Sequence, residues 1–279
     1  MILFSPAKIN IGLQIIMHRE DGFHNLQSIM YPVGLCDILE IRRSPDEGDS
    51  IRFSQSGIQI DPHNNKNLCV QAWELFTQEV ALPAVDLHLH KQIPVGAGLG
   101  GGSSNASTTL KGLNILAGDP LPDEMLHEMA ATLGSDCPFF LHEGPMLMEG
   151  RGDILSSISP CLDHLYLILL FPGIHVSTAE AYAGVKPAVP NQHLQELIRQ
   201  PMDRWRGFVI NDFEHSLFKR YPELYRLKQD LYGAGAVYAS LSGSGSSLYG
   251  IFPESPDLPE ELEQYLIWRG TTVSSTETR

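Results

Sequence analysis

Residues 94–104 read Pro94-Val95-Gly96-Ala97-Gly98-Leu99-Gly100-Gly101-Gly102-Ser103-Ser104, and five of the eleven are glycine. Before them lies 85–91, where Val85, Leu87 and Leu89 point one way and Asp86, His88 and His90 the other. That period of two marks a strand. After them, Leu110, Leu113, Ile115 and Leu116 predict a helix over 105–116. A glycine loses about 0.5–1 kcal/mol relative to alanine in a regular element, so five together need a reason. Between a strand and a helix the usual reason is an anion. The bare backbone can approach a phosphate closely while N–H groups and the helix N-terminus face it. Ser103 and Ser104 add hydroxyl donors at the helix start. The alternative is a flexible loop or tight strand–helix packing.

Two familiar phosphate loops are excluded. Residues 96–101 match GxGxxG, but 105–117 continue as helix and Asp119 sits in a Gly-Asp-Pro turn. No strand ending in an acidic residue follows, as a dinucleotide fold requires. No lysine follows the glycines before Lys111, so GxxxxGK[ST] is absent as well.

Outward from the loop, the chain alternates strands and helices. Ile9, Ile11, Leu13 and Ile15 share one strand face, and Lys8 and Asn10 the other. Further strands are predicted at 27–33, 37–42 and 50–53, so the first 60 residues read as an antiparallel run. Helices are predicted at 67–80, 122–133, 178–183, 192–200, 212–231 and 260–268. An apolar run at 165–171 reads as a strand buried on both faces. Strands at 236–242 and 246–252 flank a second glycine cluster, Ser242 to Ser247, which reads as a hairpin turn or a second part of the site. The mixed order predicts an α+β fold. The Gly-, Ser- and Pro-bearing stretch 150–160 is the best boundary, giving domains 1–155 and 156–279.

Composition narrows the partners. The 279 residues are 43% hydrophobic and 19% charged, with a net charge of −14. Such an acidic chain is poorly suited to nucleic acid or to an anionic membrane. An anionic ligand must then be held locally, by backbone N–H groups and a few cations. The N-terminus lacks a signal-peptide pattern, and the aliphatic run 165–171 is far short of a membrane span. The four cysteines, Cys36, Cys69, Cys137 and Cys161, form no CxxC motif and read as small reduced core residues. Together these point to the cytoplasm. His88 and His90 share a strand face with no third ligand near in sequence, so they read as surface histidines. The acidic run 254–263 reads as a solvated helix edge.

Three motifs in order carry a resemblance. They are Ser5-Pro-Ala-Lys-Ile-Asn10, the 94–104 loop, and Leu241-Ser-Gly-Ser-Gly-Ser-Ser-Leu248. The chain resembles the GHMP small-molecule kinases over nearly its whole length. Arg19-Glu-Asp-Gly-Phe-His24 and Gly134-Ser-Asp-Cys-Pro138 are similar to a branch acting on a cytidyl diphosphate sugar alcohol in non-mevalonate isoprenoid synthesis. The resemblance implies a two-domain fold, with an N-terminal domain like domain 2 of ribosomal protein S5 and a ferredoxin-like C-terminal domain. It implies ATP on residues 94–104, with Mg²⁺ as its companion, and no protein partner. Asp136 would be the base, Lys8 the cation that positions it and the hydroxyl, and Asn10 an orienting amide. Phe23 and His24 would hold cytidine, with Tyr182 as the second stacking face. Two positions depart from the family. Phe23 stands where tyrosine is usual, and Cys137 where valine is usual. The metal ligands stay unknown, since no carboxylate cage is visible and only Ser104 offers a contact. Another GHMP substrate such as mevalonate, homoserine or a sugar is the first alternative. A catalytically silent nucleotide-binding protein is the second.

Overall fold

The computed structural model describes residues 1–45, 48–60, 67–159 and 162–272. The chain forms two compact units. The first comprises Met1–Ala7, Leu35–Val95 and Gly100–Glu143, and the second Lys8–Gly34, Gly96–Leu99 and Gly144–Arg279. Two long strands, β1 (Ile2–His18) and β2 (His24–Arg43), lend residues to both. The predicted strands 27–33 and 37–42 are thus one element.

The first unit continues with β3 (Ile51–Gly57), α1 (Leu68–Glu79), β4 (Val85–Lys91), α2 (Gly101–Ala117) and α3 (Asp123–Leu133). Strand β4 runs antiparallel to β2, with Ile38 opposite His90 and Arg43 opposite Val85. It runs parallel to β3, with Ile51 opposite Val85. Strand β3 therefore runs antiparallel to β2, as expected, but β4 lies between them, so the pair that β3 makes is parallel, with α1 as the crossover. Asn67 caps α1, its side-chain oxygen accepting from Cys69 N at 2.9 Å. Phe76, Leu110, Leu113, Leu126 and Met129 of the helices close over Leu39, Ile41, Leu87 and Leu89 of the strands. Each such side chain, fully buried, contributes about 1.5–3 kcal/mol. On the opposite face of β4, His88 hydrogen-bonds with Ser54 and Ser56, and His90 with Ser56.

The second unit adds β5 (Met146–Glu149), β6 (Ile154–Ser157), β7 (Tyr166–Leu170), α4 (Thr178–Ala183), α5 (Leu194–Leu197), α6 (Glu214–Arg220), α7 (Pro222–Gly233), β8 (Tyr238–Leu241), β9 (Leu248–Phe252), α8 (Glu260–Glu263) and β10 (Leu266–Thr271). Strand β5 pairs antiparallel with β2 and β6. An antiparallel sheet has the order β10-β7-β9-β8.

Three helix expectations are corrected here. The stretch 212–231 is two helices, because Pro222 supplies no N–H and starts a new one while Tyr221 leaves the helical region. The stretch 260–268 is helical only to Glu263. Leu266 and Trp268 then pair with Leu170 and Leu169 of β7, with Ile267 bulged between them, and the edge of β7 offers the hydrogen bonds these strand-favouring side chains suit. The stretch 192–200 keeps one turn, Leu194–Leu197. The mixture of packed helices and largely antiparallel strands is α+β. Cys69 and Cys137 are buried and free and Cys36 is half-buried, while Cys161 and Pro160 lie outside the described residues. Among the described residues no helix is long and apolar enough to cross a membrane.

Candidate active site

In the first unit the ends of the glycine loop are pinned by one buried carboxylate, Asp37 of β2. Its Oδ2 accepts from Lys91 Nζ at 2.5 Å and from Asn105 Nδ2 at 2.9 Å. Its Oδ1 accepts the backbone N–H of Gln92 at 2.7 Å and of Ile93 at 2.9 Å. Lys91 closes β4 and Asn105 lies in the first turns of α2, so the clamp holds both the exit and the re-entry of the loop. Burial lowers the Lys91 pKa, and the neighbouring Asp37 charge opposes that shift. Helix α2 starts at Gly101, four residues earlier than its apolar pattern indicates. Its N-cap, Gly100, is left-handed, makes no side-chain cap, and no acidic residue follows in the first turn. The first N–H groups of α2 are therefore suited to an anion. Ser104 Oγ is buried there with no hydrogen-bond partner among the described residues.

Asp136 also belongs to the first unit. Helix α3 stops at Gly134, and Cys137 N–H donates to Gly134 O at 3.1 Å. Ser107 Oγ of α2 donates to Cys137 O at 2.7 Å. The half-buried Asp136 is thus on a turn tied to both helices. Burial pushes the adjoining Cys137 thiol up to about 11, so it is protonated and inert at neutral pH.

Residues 96–99 of the loop pack in the second unit, beside β1. Lys8 is 4% exposed and Asn10 2%. Lys8 N–H donates to Leu99 O at 2.9 Å. Its ammonium donates to Asn10 Oδ1 at 2.5 Å and to Gly98 O at 3.0 Å. Asn10 Nδ2 donates in turn to Ser28 Oγ at 2.9 Å. The second glycine cluster joins the same group. Ser242 Oγ donates to Gly98 O at 2.9 Å, and Ser247 N–H to Ala97 O at 3.1 Å. Gly98, at φ +78°, permits this approach, since a Cβ there would stand 2.1 Å from Ser242 O.

The three residues expected at a cytidine base also lie in the second unit. His24 and Tyr182 stack, with centroids 4.9 Å apart and planes 28° from parallel. His18 meets His24 edge-on at 4.9 Å, and Phe213 meets Tyr182 edge-on at 5.0 Å. Burial, aided by His18, lowers the His24 pKa, so the ring is neutral at pH 7. Phe23 is 55% exposed, and the Arg151 guanidinium lies 5.3 Å from its ring centre. Arg19 shapes this turn by bonding Asp21 and Asn25 and by donating its N–H to Phe23 O.

Sequence reasoning missed Asp37, Ser28 and the segment Asn211 to Glu214 that supports the second glycine cluster. Asp37 carries a weak signal, an acid flanked by Leu35, Cys36, Ile38 and Leu39 in a largely apolar strand. Among the described residues no three His, Cys, Asp or Glu side chains cluster as a metal site.

Known proteins resemble this chain over most of its length. The GHMP kinases N terminal domain matches residues 67–144 and the GHMP kinases C terminal domain residues 187–267. A Bacteroides fragilis protein, 4-diphosphocytidyl-2-C-methyl-D-erythritol kinase, is 46% identical over 90% of this chain and 92% of its own. A Parabacteroides distasonis protein of the same name is 42% identical over 97% of this chain and 99% of its own. A crystal structure of 4-(cytidine 5'-diphospho)-2C-methyl-D-erythritol kinase superposes with a TM-score of 0.78 at 30% identity, covering 97% of this chain and 98% of that one. The mevalonate kinase of Methanococcus jannaschii shares the fold, with a TM-score of 0.63 at 16% identity over 95% and 92% of the two chains.

Proposed function

The chain belongs to the GHMP kinase family, and we infer that it transfers a phosphoryl group from ATP to the 2-hydroxyl of 4-diphosphocytidyl-2-C-methyl-D-erythritol, in the non-mevalonate route to isoprenoid precursors. The observation that carries this reading is the identity of 40–46% to kinases of that name over nine-tenths or more of the chain. The site residues fit the chemistry. Phosphoryl transfer needs an oriented hydroxyl, cations facing the developing charge, and an in-line arrangement. Asp136 takes the hydroxyl proton. Lys8, held by Asn10 and Gly98 O, supplies fixed positive charge. The phosphates rest on residues 94–104, where the uncapped start of α2 presents its N–H groups.

The orphaned Ser104 Oγ suits Mg²⁺, which takes one or two protein oxygens and otherwise phosphate and water. When bound, the ion neutralises charge between phosphate oxygens. Phe23, His24 and Tyr182 receive the cytosine, with the neutral His24 able to hydrogen-bond the base edge. The chain is read as domains 1–155 and 156–279, and the family matches at 67–144 and 187–267 fall on either side of that boundary. A net charge of −14 supports a small-molecule partner rather than nucleic acid or membrane. The free thiols support a cytoplasmic setting.

The test is product detection with ATP and the cytidyl substrate, with mevalonate and homoserine as competitors. Only the cytidyl compound should be phosphorylated. Asp136→Asn should lower turnover by about 10²–10⁴ with nucleotide affinity unchanged. Equal turnover on mevalonate would overturn the substrate, and a variant within threefold of wild type would overturn the base.

A further inference from the structure

The second glycine cluster carries no charge, yet it touches the Gly98 carbonyl that also receives the Lys8 ammonium. What holds the cluster is Asn211, a residue 1% exposed in the segment between the short turn at Met202–Arg204 and α6. Its Nδ2 donates to Leu241 O at 3.0 Å and to Gly243 O at 2.8 Å. Its Oδ1 accepts Phe213 N–H at 3.0 Å. Both amide protons are therefore used on the two carbonyls that open the turn.

The segment around Asn211 is itself fixed at two places. Leu13 N–H donates to Ile210 O at 2.9 Å and Asp212 N–H to Leu13 O at 2.8 Å, which ties it to β1 five residues beyond Lys8. Glu214 Oε1 accepts Leu241 N–H at 2.9 Å, and Glu214 Oε2 is paired with Lys228 at 2.6 Å. The turn is thus anchored to the strand that bears Lys8 and to the end of β8. Its tip fits closely. A Cβ at Gly243 would stand 3.2 Å from Asn10 Oδ1 and from Gly98 O, and 3.3 Å from Lys8 Nζ. The tip thus lies beside all three with no room for a side chain.

We propose that Asn211 is a positioning residue for phosphoryl transfer, its amide fixing the Leu241–Gly243 carbonyls so that Ser242 and Gly243 hold Gly98 O and the Lys8 ammonium in register. An asparagine suits this place because one nitrogen carries two protons for two carbonyls. An aspartate of the same shape would face both with negative charge. The inference rests on the reading of Lys8 as the transfer-site cation, and its test separates the two.

The full-length variants Asn211→Ala, Asn211→Asp, Lys8→Met and Asn211→Ala/Lys8→Met are compared by steady-state kinetics with ATP and the cytidyl substrate, alongside their melting curves. Asn211→Ala and Asn211→Asp should lower kcat by about 10–100-fold, the scale of a misplacement within an ångström, with KM for the alcohol within twofold. With Lys8 already replaced, Asn211→Ala should lower kcat by less than about threefold further, because the two residues act as a unit. A purely structural role would give the full loss again in that background. That result, or an unchanged kcat in Asn211→Ala, overturns the proposal. Wild-type kcat in Lys8→Met instead overturns the reading of Lys8. If the Asn211 variants fail to fold, Ser242→Ala, which removes only the hydroxyl on Gly98 O, takes their place. It must lower kcat and show the same dependence on Lys8, or the proposal fails.

Discussion

A single oxygen pair on Asp37 accepts four hydrogen bonds, from Lys91, Gln92, Ile93 and Asn105. Removing its charge leaves a lysine 3% exposed without its counter-ion. Breaking a buried pair on one side costs about 3–5 kcal/mol. Asp37→Asn should therefore lose stability on that scale in urea unfolding, and Asp37→Asn/Lys91→Met should regain part of it. Equal midpoints for wild type and Asp37→Asn would show that the pair contributes nothing. The sequence does not expose this residue, because an acid in an apolar strand looks the same whether it is buried or at an edge. Lys8 and Asn10 were legible for a different reason. Their place in a six-residue motif pairs them with a glycine loop some 90 residues away, and a family resemblance carries long-range pairing that local periodicity cannot.

At the scale of elements, the strand β4, the loop and helix α2 were legible because each has its own local period. Their junction was not. Helix α2 takes in Gly101 and Gly102, which propensity alone would exclude, because the N-terminus is set by the Asp37 clamp and by left-handed Gly100. Strand β10 reads as helix in sequence since its pairing with β7 is a tertiary choice made about 100 residues away. Strands β5 and β6 were not seen at all, as four residues each leave too little pattern. The loop and the Ser242–Ser247 turn behave as one element, and Gly98 is their closest approach. Gly98→Ala adds a Cβ against Ser242 O and asks alanine to hold a left-handed backbone, which alone costs about 1–2 kcal/mol. The expected outcome is a folded protein whose ATP affinity, measured by titration calorimetry, falls at least tenfold. Unchanged affinity would mean that the loop geometry is not what binds phosphate.

For the whole molecule, a ligand that binds only the native chain must raise its melting temperature. At about one hundred times its Kd, a nucleotide contributes about 2.7 kcal/mol. In a chain of this size that is a rise of several degrees in thermal unfolding, and Gly98→Ala, with its affinity down tenfold, should keep only about half of it, about 1.4 kcal/mol, at the same ATP concentration. Composition and charge speak to the kind of ligand, but they carry no information on which distant residues meet. Those meetings are long. Tyr249 OH donates to Asn10 O across 239 positions, and Ser242 Oγ reaches Gly98 O across 144. During synthesis at about 5–20 residues per second, on the order of ten to fifty seconds separate the emergence of Asn10 from that of Tyr249. From the synthesis of residue 104 until that of Tyr249, the nascent chain carries Lys8 and the glycine loop without the strands that seat them. Closing such contacts is entropically costly and must follow the local ones. Catalytic competence on the ribosome therefore arrives with β8 and β9 near the C-terminus, long after the phosphate loop itself has been made.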